Sequence, residues 1–185
     1  FGADPSNGEV YTKLYELSMS GDPDCGGVLV CNYMAGEGIT HMDEGRPLVV
    51  RTPGCKFTLA NFMRTLMFSS LGALRCGMDI LYKENVEVAS MTGAGGYFKT
   101  QAGLKYMAAA MKTSVSAMET AGEGGPWGMA ILASYAAENS SDSLADFLNN
   151  KVFAGQEGST IEPDAADVEG FDAYMKKYVK QMILM

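Results

Sequence analysis

The stretch from Val86 to Ser140 constrains this chain most, because it runs through one local order twice. "VEVASM" reads as a strand, "TGAGG" as a glycine turn and "TQAGLKYMAAAMKT" as a helix. "SVSAM" then reads as a second strand, "TAGEGGPWG" as a second glycine loop and "PWGMAILASYAAENS" as a second helix. Strand, turn and helix in repeated alternation predict an α/β architecture with some parallel pairing. Pro126 suits the first turn of the last helix, where its missing N–H costs nothing. Both glycine turns should then open on one edge of the sheet, outside the carboxyl ends of the strands, where such folds bind ligands.

The remaining segments fit around that unit. A first helix is expected from a cap at Ser6 or Asn7 through "EVYTKLYELSMSG", with Val10, Leu14 and Leu17 on one face and Gly21 as its stop. "GGVLVCNY" has the pattern of a short buried strand. Met34 to Cys55 is loop-like, rich in glycine and proline, with "PLVVR" able to pair as an edge strand. Thr58 should cap a long helix, "LANFMRTLMFSSLGALRCGMDILYKEN". Its apolar residues Leu59, Phe62, Leu66, Phe68 and Leu71 lie on more than one face, so it should be largely buried. The tail holds "SLADFLNNKVF", a polar stretch "EGSTIEPDAADVEG" and a closing amphipathic helix, "FDAYMKKYVKQM". No internal repeat interrupts this order.

Bulk properties narrow the function classes. The 185 residues suit one domain or one lobe of a larger protein, and with 47% apolar and 19% charged residues the chain should fold around its own core. A net charge of -8 argues against binding nucleic acid or an anionic membrane surface. Lys176, Lys177 and Lys180 read as the solvated side of the terminal helix. Cys25, Cys31, Cys55 and Cys76 are spaced too widely for a metal knuckle, and read as free thiols in a reducing cytoplasm. His41 is the only histidine, so no histidine-rich metal site can form and any histidine-based triad must use it. No apolar run reaches transmembrane length, and "FGADPSNGEV" has no signal-like character. The lack of an initiator methionine is expected of a processed or truncated chain.

Three motifs could carry chemistry. In "MTGAGGYFKT", glycines let backbone N–H groups approach phosphate oxygens, and a helix N-terminus adds partial positive charge. The spacing matches neither GxxxxGK[ST] nor GxGxxG, so by itself the segment reads equally as a tight βα turn. Lys99 could neutralise a phosphate or sit on the surface. In the second loop, Glu123 could accept from a ribose hydroxyl or simply favour a helix N-terminus, and Trp127 could wall an adenine pocket or anchor packing. "MAGEGITHMDEG" gathers Glu37, His41, Asp43 and Glu44, which suits either a metal or acid–base site or a solvated acidic loop. Met107, Met111 and Met118 read as adaptable core filling.

Taken in order, "NYMAGEG", the long helix ending "GMDIL", the strand with "GAGGYFKT", and "METAGEGGPWGMAILA" resemble the C-terminal lobe of the FGGY carbohydrate kinases. Within the family the likeness is to ribulokinase-like and xylulokinase-like pentulose kinases, and it spans about Gly26 to Phe153. The resemblance implies part of an actin-like, ribonuclease-H-like ATPase domain, a small sheet with long flanking helices, over residues 1–185. It implies ATP and Mg2+ as cofactors and transfer of the γ-phosphoryl group to a sugar hydroxyl, that is, cytoplasmic carbohydrate metabolism. The phosphate-approaching turn falls on Gly93, Gly95 and Gly96, with Lys99 beside it, and the loop framing the nucleoside falls on Gly124 and Gly125.

Where many family members read GER followed by Thr-Pro, this chain has "GEGIT", and "AGGYFKT" replaces the commoner triple glycine. The family's catalytic aspartate and sugar-binding residues precede the matched segments, so no catalytic residue and no metal ligand is assigned here. The expected partners are ATP, a small sugar and a missing N-terminal lobe of the same protein, with room for a homodimer. A lobe holding only glycine turns can grip ATP but cannot orient an acceptor, so the chain alone should be inactive. Two other readings stay open: a non-catalytic nucleotide-binding or scaffolding module with an actin-like half, and an unrelated α/β domain whose glycine loops are only turns.

Overall fold

A computed structural model describes residues 4, 8–118, 124–138, 141–155 and 158–182. The expected caps Ser6 and Asn7 lie outside the described residues; helix α1 runs Glu9–Ser18, preceded by Gly8. Its apolar positions Val10, Leu14 and Leu17 are half-buried, and the helix stops at Ser18, three residues short of Gly21. Strand β1, Leu29–Cys31, is buried at every position. It pairs antiparallel with β2, Leu48–Val50, so the "PLVVR" segment does form a strand.

Helix α2 spans Leu59–Lys83, with the Thr58 side chain accepting from the Asn61 N–H as the sequence predicts. Its burial differs from expectation. Phe68 and Leu71 are buried, but Leu59, Leu74, Ile80 and Leu81 are exposed, so α2 covers the core with one face only. Of the apolar residues that suggested a second face, Phe62 and Leu66 are half-buried, Phe62 against the Phe57 ring, and Leu59 is exposed.

The main sheet has the order β3-β4-β5. Strand β3, Ser90–Gly93, lies parallel to β4, Ser114–Met118, with Gly93 opposite Ala117. Helix α3, Gln101–Met111, makes the crossover between them and buries every residue except Gln101 and Lys105. Thr100 caps it, accepting from the Gly103 N–H at 3.3 Å. The strand–turn–helix–strand order is therefore as the sequence indicates, although β3 begins four residues later than "VEVASM" suggests. Strand β5, Gly158–Ile161, is antiparallel to β4. It falls in the stretch taken as merely polar, because "GSTI" offers one large apolar residue and no alternation long enough to read. Helix α4 runs Gly124–Glu138, helix α5 Leu144–Phe147 with a wider turn to Val152, and helix α6 Ala165–Met182. Helix α6 starts six residues before the expected Phe171, because the Asp164 carboxylate caps it by accepting from the Ala166 and Asp167 N–H groups. That "PDAAD" signal was readable.

The core is aromatic and sits between α2, α3 and α6. Phe68 is fully buried, with the rings of Tyr106, Phe171 and Tyr174 set edge-on around it at 5.1, 4.8 and 5.4 Å. Such edge-to-face pairs place the positive rim of one ring on the negative face of another. Two arginines on α2 tie the helices together. Arg64 pairs with Asp167 of α6, both side chains almost wholly buried. Arg75 donates to the Ala110 carbonyl at 2.7 Å and pairs with Asp172 at 3.1 Å.

Candidate functional site

The carboxyl ends of β3 and β4 lead to a cavity of about 200 Å³ lined by Thr92, Gly93, Ala94, Met118, Gly124, Trp127, Gly128, Ile131 and Phe153. Its position is the sheet edge that the repeated strand–turn–helix order selects. One wall is the turn after β3, the other the first turns of α4. Gly93 closes the strand and is buried, with the Phe98 ring lying where a side chain would stand. Gly95 has φ 105° and ψ 175°, a region open essentially to glycine alone. A one-turn helix, Gly96–Lys99, opens directly after it.

Gly124 carries the two walls together. A Cβ built there would stand 2.9 Å from the Ala94 Cβ and 3.8 Å from the Gly95 backbone nitrogen. The two glycine segments, far apart in sequence, are thus in van der Waals contact, and only a residue without a side chain permits that approach. Gly96 and Gly125 have no atom within 4 Å of a built Cβ, so packing does not explain either glycine. Lys99 is exposed at the end of the short turn and does not line the cavity. Glu123 lies outside the described residues.

Trp127 lines the cavity rather than the core, and Phe153, which sequence reasoning did not single out, stands beside it. Their rings are 6.3 Å apart and within 22° of parallel. Phe153 is invisible to motif reading because it sits in an irregular segment, twenty-six residues on from the tryptophan it meets. Met118 also lines the cavity and is half-buried, so its expected role as core filling holds only in part, while Met107 and Met111 are in the core.

The acidic loop takes the blander of its two forms. The Glu37 carboxylate accepts from the Ile39 N–H at 3.1 Å, and Glu44 pairs with Arg46 at 2.8 Å. Among the described residues no three His, Cys, Asp or Glu side chains converge as a metal site would require. All four cysteines are free. Burial pushes the Cys31 thiol up to about 11 and the Cys25 thiol further, so both stay protonated and unreactive at neutral pH.

The chemistry of the lining fits part of a nucleotide. The backbone at Gly93 and Ala94 lines the cavity, with Gly95 and Gly96 following in the same turn outside its lining, and such a turn can approach phosphate oxygens closely; the apolar Met118, Trp127, Ile131 and Phe153 suit a planar base. The volume falls below the roughly 300–1,000 Å³ typical of sites that enclose a whole ligand. No carboxylate lines the cavity, so the chain's described residues offer nothing to hold Mg2+ there.

The fold is that of an actin-like ATPase domain, with mixed α/β structure, small sheets and long helices. The profile of the C-terminal domain of the FGGY family of carbohydrate kinases matches residues 4–137, and the chain belongs to that family. No curated protein matches it in sequence. Among solved structures, xylulose kinase from Rhodospirillum rubrum is similar with a TM-score of 0.67 at 17% identity, covering 97% of this chain and 35% of that one. Gluconate kinase from Lactobacillus acidophilus has a TM-score of 0.69 at 14% identity, over 92% of this chain and 34% of that one. Glycerol kinase from Plasmodium falciparum, solved with ADP, has a TM-score of 0.65 at 14% identity, over 98% and 34%. The chain spans about a third of the length of these structures. Among the described residues, no helix is long and apolar enough to cross a membrane.

Proposed function

We propose that this chain is the C-terminal nucleotide-binding lobe of a cytoplasmic kinase that uses Mg-ATP to phosphorylate a ketopentose, L-ribulose or xylulose. The observation that carries the reading is the cavity at the carboxyl ends of β3 and β4, where the Gly95 turn meets the first turn of α4. Membership in a family of carbohydrate kinases supports phosphoryl transfer to a sugar, and a neighbour solved with ADP supports a nucleotide as the ligand. The backbone at Gly93, Gly95 and Gly96 approaches the phosphates, Gly124 and Gly125 frame the nucleoside, and Lys99 offers a positive charge beside them. ATP would supply the transferable phosphoryl group; this lobe's part is to hold and orient it.

The groups that bind the acceptor sugar and the base that activates its hydroxyl belong to a further lobe of the same protein. A cavity whose side chains offer only the Thr92 hydroxyl and the Trp127 indole N–H has too few polar groups to orient a polyol. The 185-residue chain is therefore expected to form no sugar phosphate when mixed with Mg-ATP and ketopentoses. The test of the main reading is a panel of ketopentoses, gluconate and glycerol given to the full-length protein, with ADP release as readout. Turnover of L-ribulose or xylulose is expected. Turnover of gluconate or glycerol alone moves the acceptor, and no ADP release with any of them removes the kinase reading.

A further inference from the structure

Helix α2 turns an apolar face outward as well as inward. At 3.6 residues per turn its four charged residues, Arg64, Arg75, Asp79 and Lys83, fall on or beside the row that packs against α3 and α6. The opposite side carries no charge. It holds Leu59, Met63, Leu66, Ser70, Ala73, Gly77 and Ile80, with Leu74 and Leu81 beside them, and not one of these is buried. Leu59, Leu74, Ile80 and Leu81 are 50%, 41%, 53% and 41% exposed. The first seven are spaced by alternate steps of four and three residues, the repeat of a seam between two helices. Two neighbours widen the seam. Ile39, 50% exposed in the turn Gly38–Thr40, stands 4.0 Å from a Cβ built on Gly77. Phe57, 48% exposed, packs its ring on Phe62 near the helix start.

A contiguous apolar surface of this kind marks an interaction site, and the order of its residues says what fits. Large side chains stand toward both ends, and Ser70, Ala73 and Gly77 are small. Laid antiparallel on a second copy about Ser70, the seam sets Leu59 on Leu81, Leu66 on Leu74, and the long Met63 over Gly77. Ser70 meets its own copy on the twofold axis. Every other contact then occurs twice, as an isologous interface requires. The pairing also brings no α2 charge into the seam, in a chain whose net charge of -8 makes copies repel elsewhere. A further lobe of the same protein is the competing occupant. To deliver an acceptor it must close on the cavity at the ends of β3 and β4, and no residue of α2 lines that cavity.

We infer that the outer face of α2 is a dimer interface, an antiparallel two-helix contact between two copies of this chain centred on Ser70. The 25 residues of α2 make a rod roughly 37 Å long and about 12 Å wide, so with Ile39 and Phe57 the contact covers on the order of 500 Å² per copy. That lies at the small end of specific interfaces, so the dimer should form at micromolar rather than nanomolar concentration. The inference stands apart from the nucleotide reading, since the two surfaces share no residue.

The test is sedimentation of the 185-residue chain from about 1 to 100 μM, a range that brackets micromolar association. The mass should climb from 19.7 kDa toward twice that value. Ser70→Glu sets two carboxylates against each other on the axis and should weaken the dimer about tenfold or more. Its circular dichroism should not change, because the position is exposed. Leu59→Glu and Leu81→Lys, also at exposed positions, should each weaken self-association several-fold. Mixed with each other, these two variants should recover most of the affinity, because position 59 of one copy lies on position 81 of the other. A mass that stays at 19.7 kDa throughout, or a dimer that Ser70→Glu leaves intact, overturns the inference. No recovery on mixing overturns the antiparallel register. The same measurement on a protein of the length its structural neighbours have separates the two occupants. A dimer there that Ser70→Glu dissociates supports the interface; a monomer there gives the face to the rest of the same protein and overturns it.

Discussion

Helices α2 and α4 invert the usual relation between charge and burial. Helix α2 carries Arg64, Arg75, Asp79 and Lys83, yet ten of its residues are buried, the two arginines among them. Helix α4 carries one charged residue, Glu138, and buries none of its residues, with Met129 69% and Leu132 48% exposed. The difference lies in partners. Helix α2 has α1, α3, α6 and β1 packed along it, so even its cations find carboxylates and carbonyls inside the fold. Helix α4 meets the sheet through its first turns only, where Gly124 touches Ala94 and Trp127 and Gly128 line the cavity. An apolar sequence states what a helix needs to cover; it does not supply the cover.

The largest effect that could break this comparison is at Phe68. Replacing it with alanine removes a fully buried ring that touches three others and lies under the Arg64 guanidinium at 5.1 Å. Phe68→Ala should cost about 3–5 kcal/mol in chemical denaturation. A cost below about 1 kcal/mol would mean that the helices around it are not the stabilising core.

Next comes Gly95, where the site rather than the core is at stake. Alanine there must adopt φ near 105°, which costs roughly 1–3 kcal/mol unless the turn rearranges. No neighbouring atom lies within 4 Å of the new methyl group, so the penalty is backbone strain and not a clash. The expected result is a modest loss of stability together with a loss of nucleotide affinity measured by calorimetry. Gly96→Ala, with equal space and an ordinary backbone, is the control that should keep its stability.

These two positions also show what could be read beforehand. The strand–turn–helix order, the Thr58 cap, parallel pairing and the glycine turn after β3 are legible because each rests on a local pattern: periodicity, a capping oxygen, a residue without Cβ. The contact of Gly124 with Ala94 and of Trp127 with Phe153 was not, because it depends on how α4 swings back over the sheet. Strand β5 was missed for a related reason. Its pairing is decided by β4, whose Val115 and Ala117 already face the core, and four residues of "GSTI" carry little pattern of their own. Helix α2 is less buried than its apolar content suggests because an apolar face is covered only where a neighbouring element packs on it.

A smaller effect tests the polar seam of the α2 side. At Asp172, burial works to raise the carboxyl's pKa, but the Lys112 ammonium at 2.8 Å and the Arg75 guanidinium outweigh it and hold it below the usual carboxylate range. A carboxyl lowered on folding adds stability at pH values above its unfolded pKa, and loses that contribution as pH falls through the folded value. Stability should therefore be flat near neutrality and drop in acid. Asp172→Asn should be less stable than the parent at pH 7 and converge with it below the carboxylate range. The group is about a third exposed, so the difference should be small. A gap that widens in acid would show that the pair does not stabilise the fold.

The smallest effect on this chain is the one that most sharpens the contrast. Met129→Ser and Leu132→Ser remove exposed apolar side chains that nothing among the described residues buries, so each should change the chain's stability by less than about 0.5 kcal/mol. The same substitutions in a protein of the length its structural neighbours have, about three times this chain, test a different state. If the remainder of such a protein lies over α4, burying a leucine contributes up to roughly 1.5–3 kcal/mol, and Leu132→Ser should then cost more than about 1 kcal/mol there. Equal small changes in both contexts would leave the apolar coat of α4 exposed in the whole protein as well. A cost that appears only in the longer protein would assign that coat to an interface, and would explain why the least charged helix of the chain is its least buried.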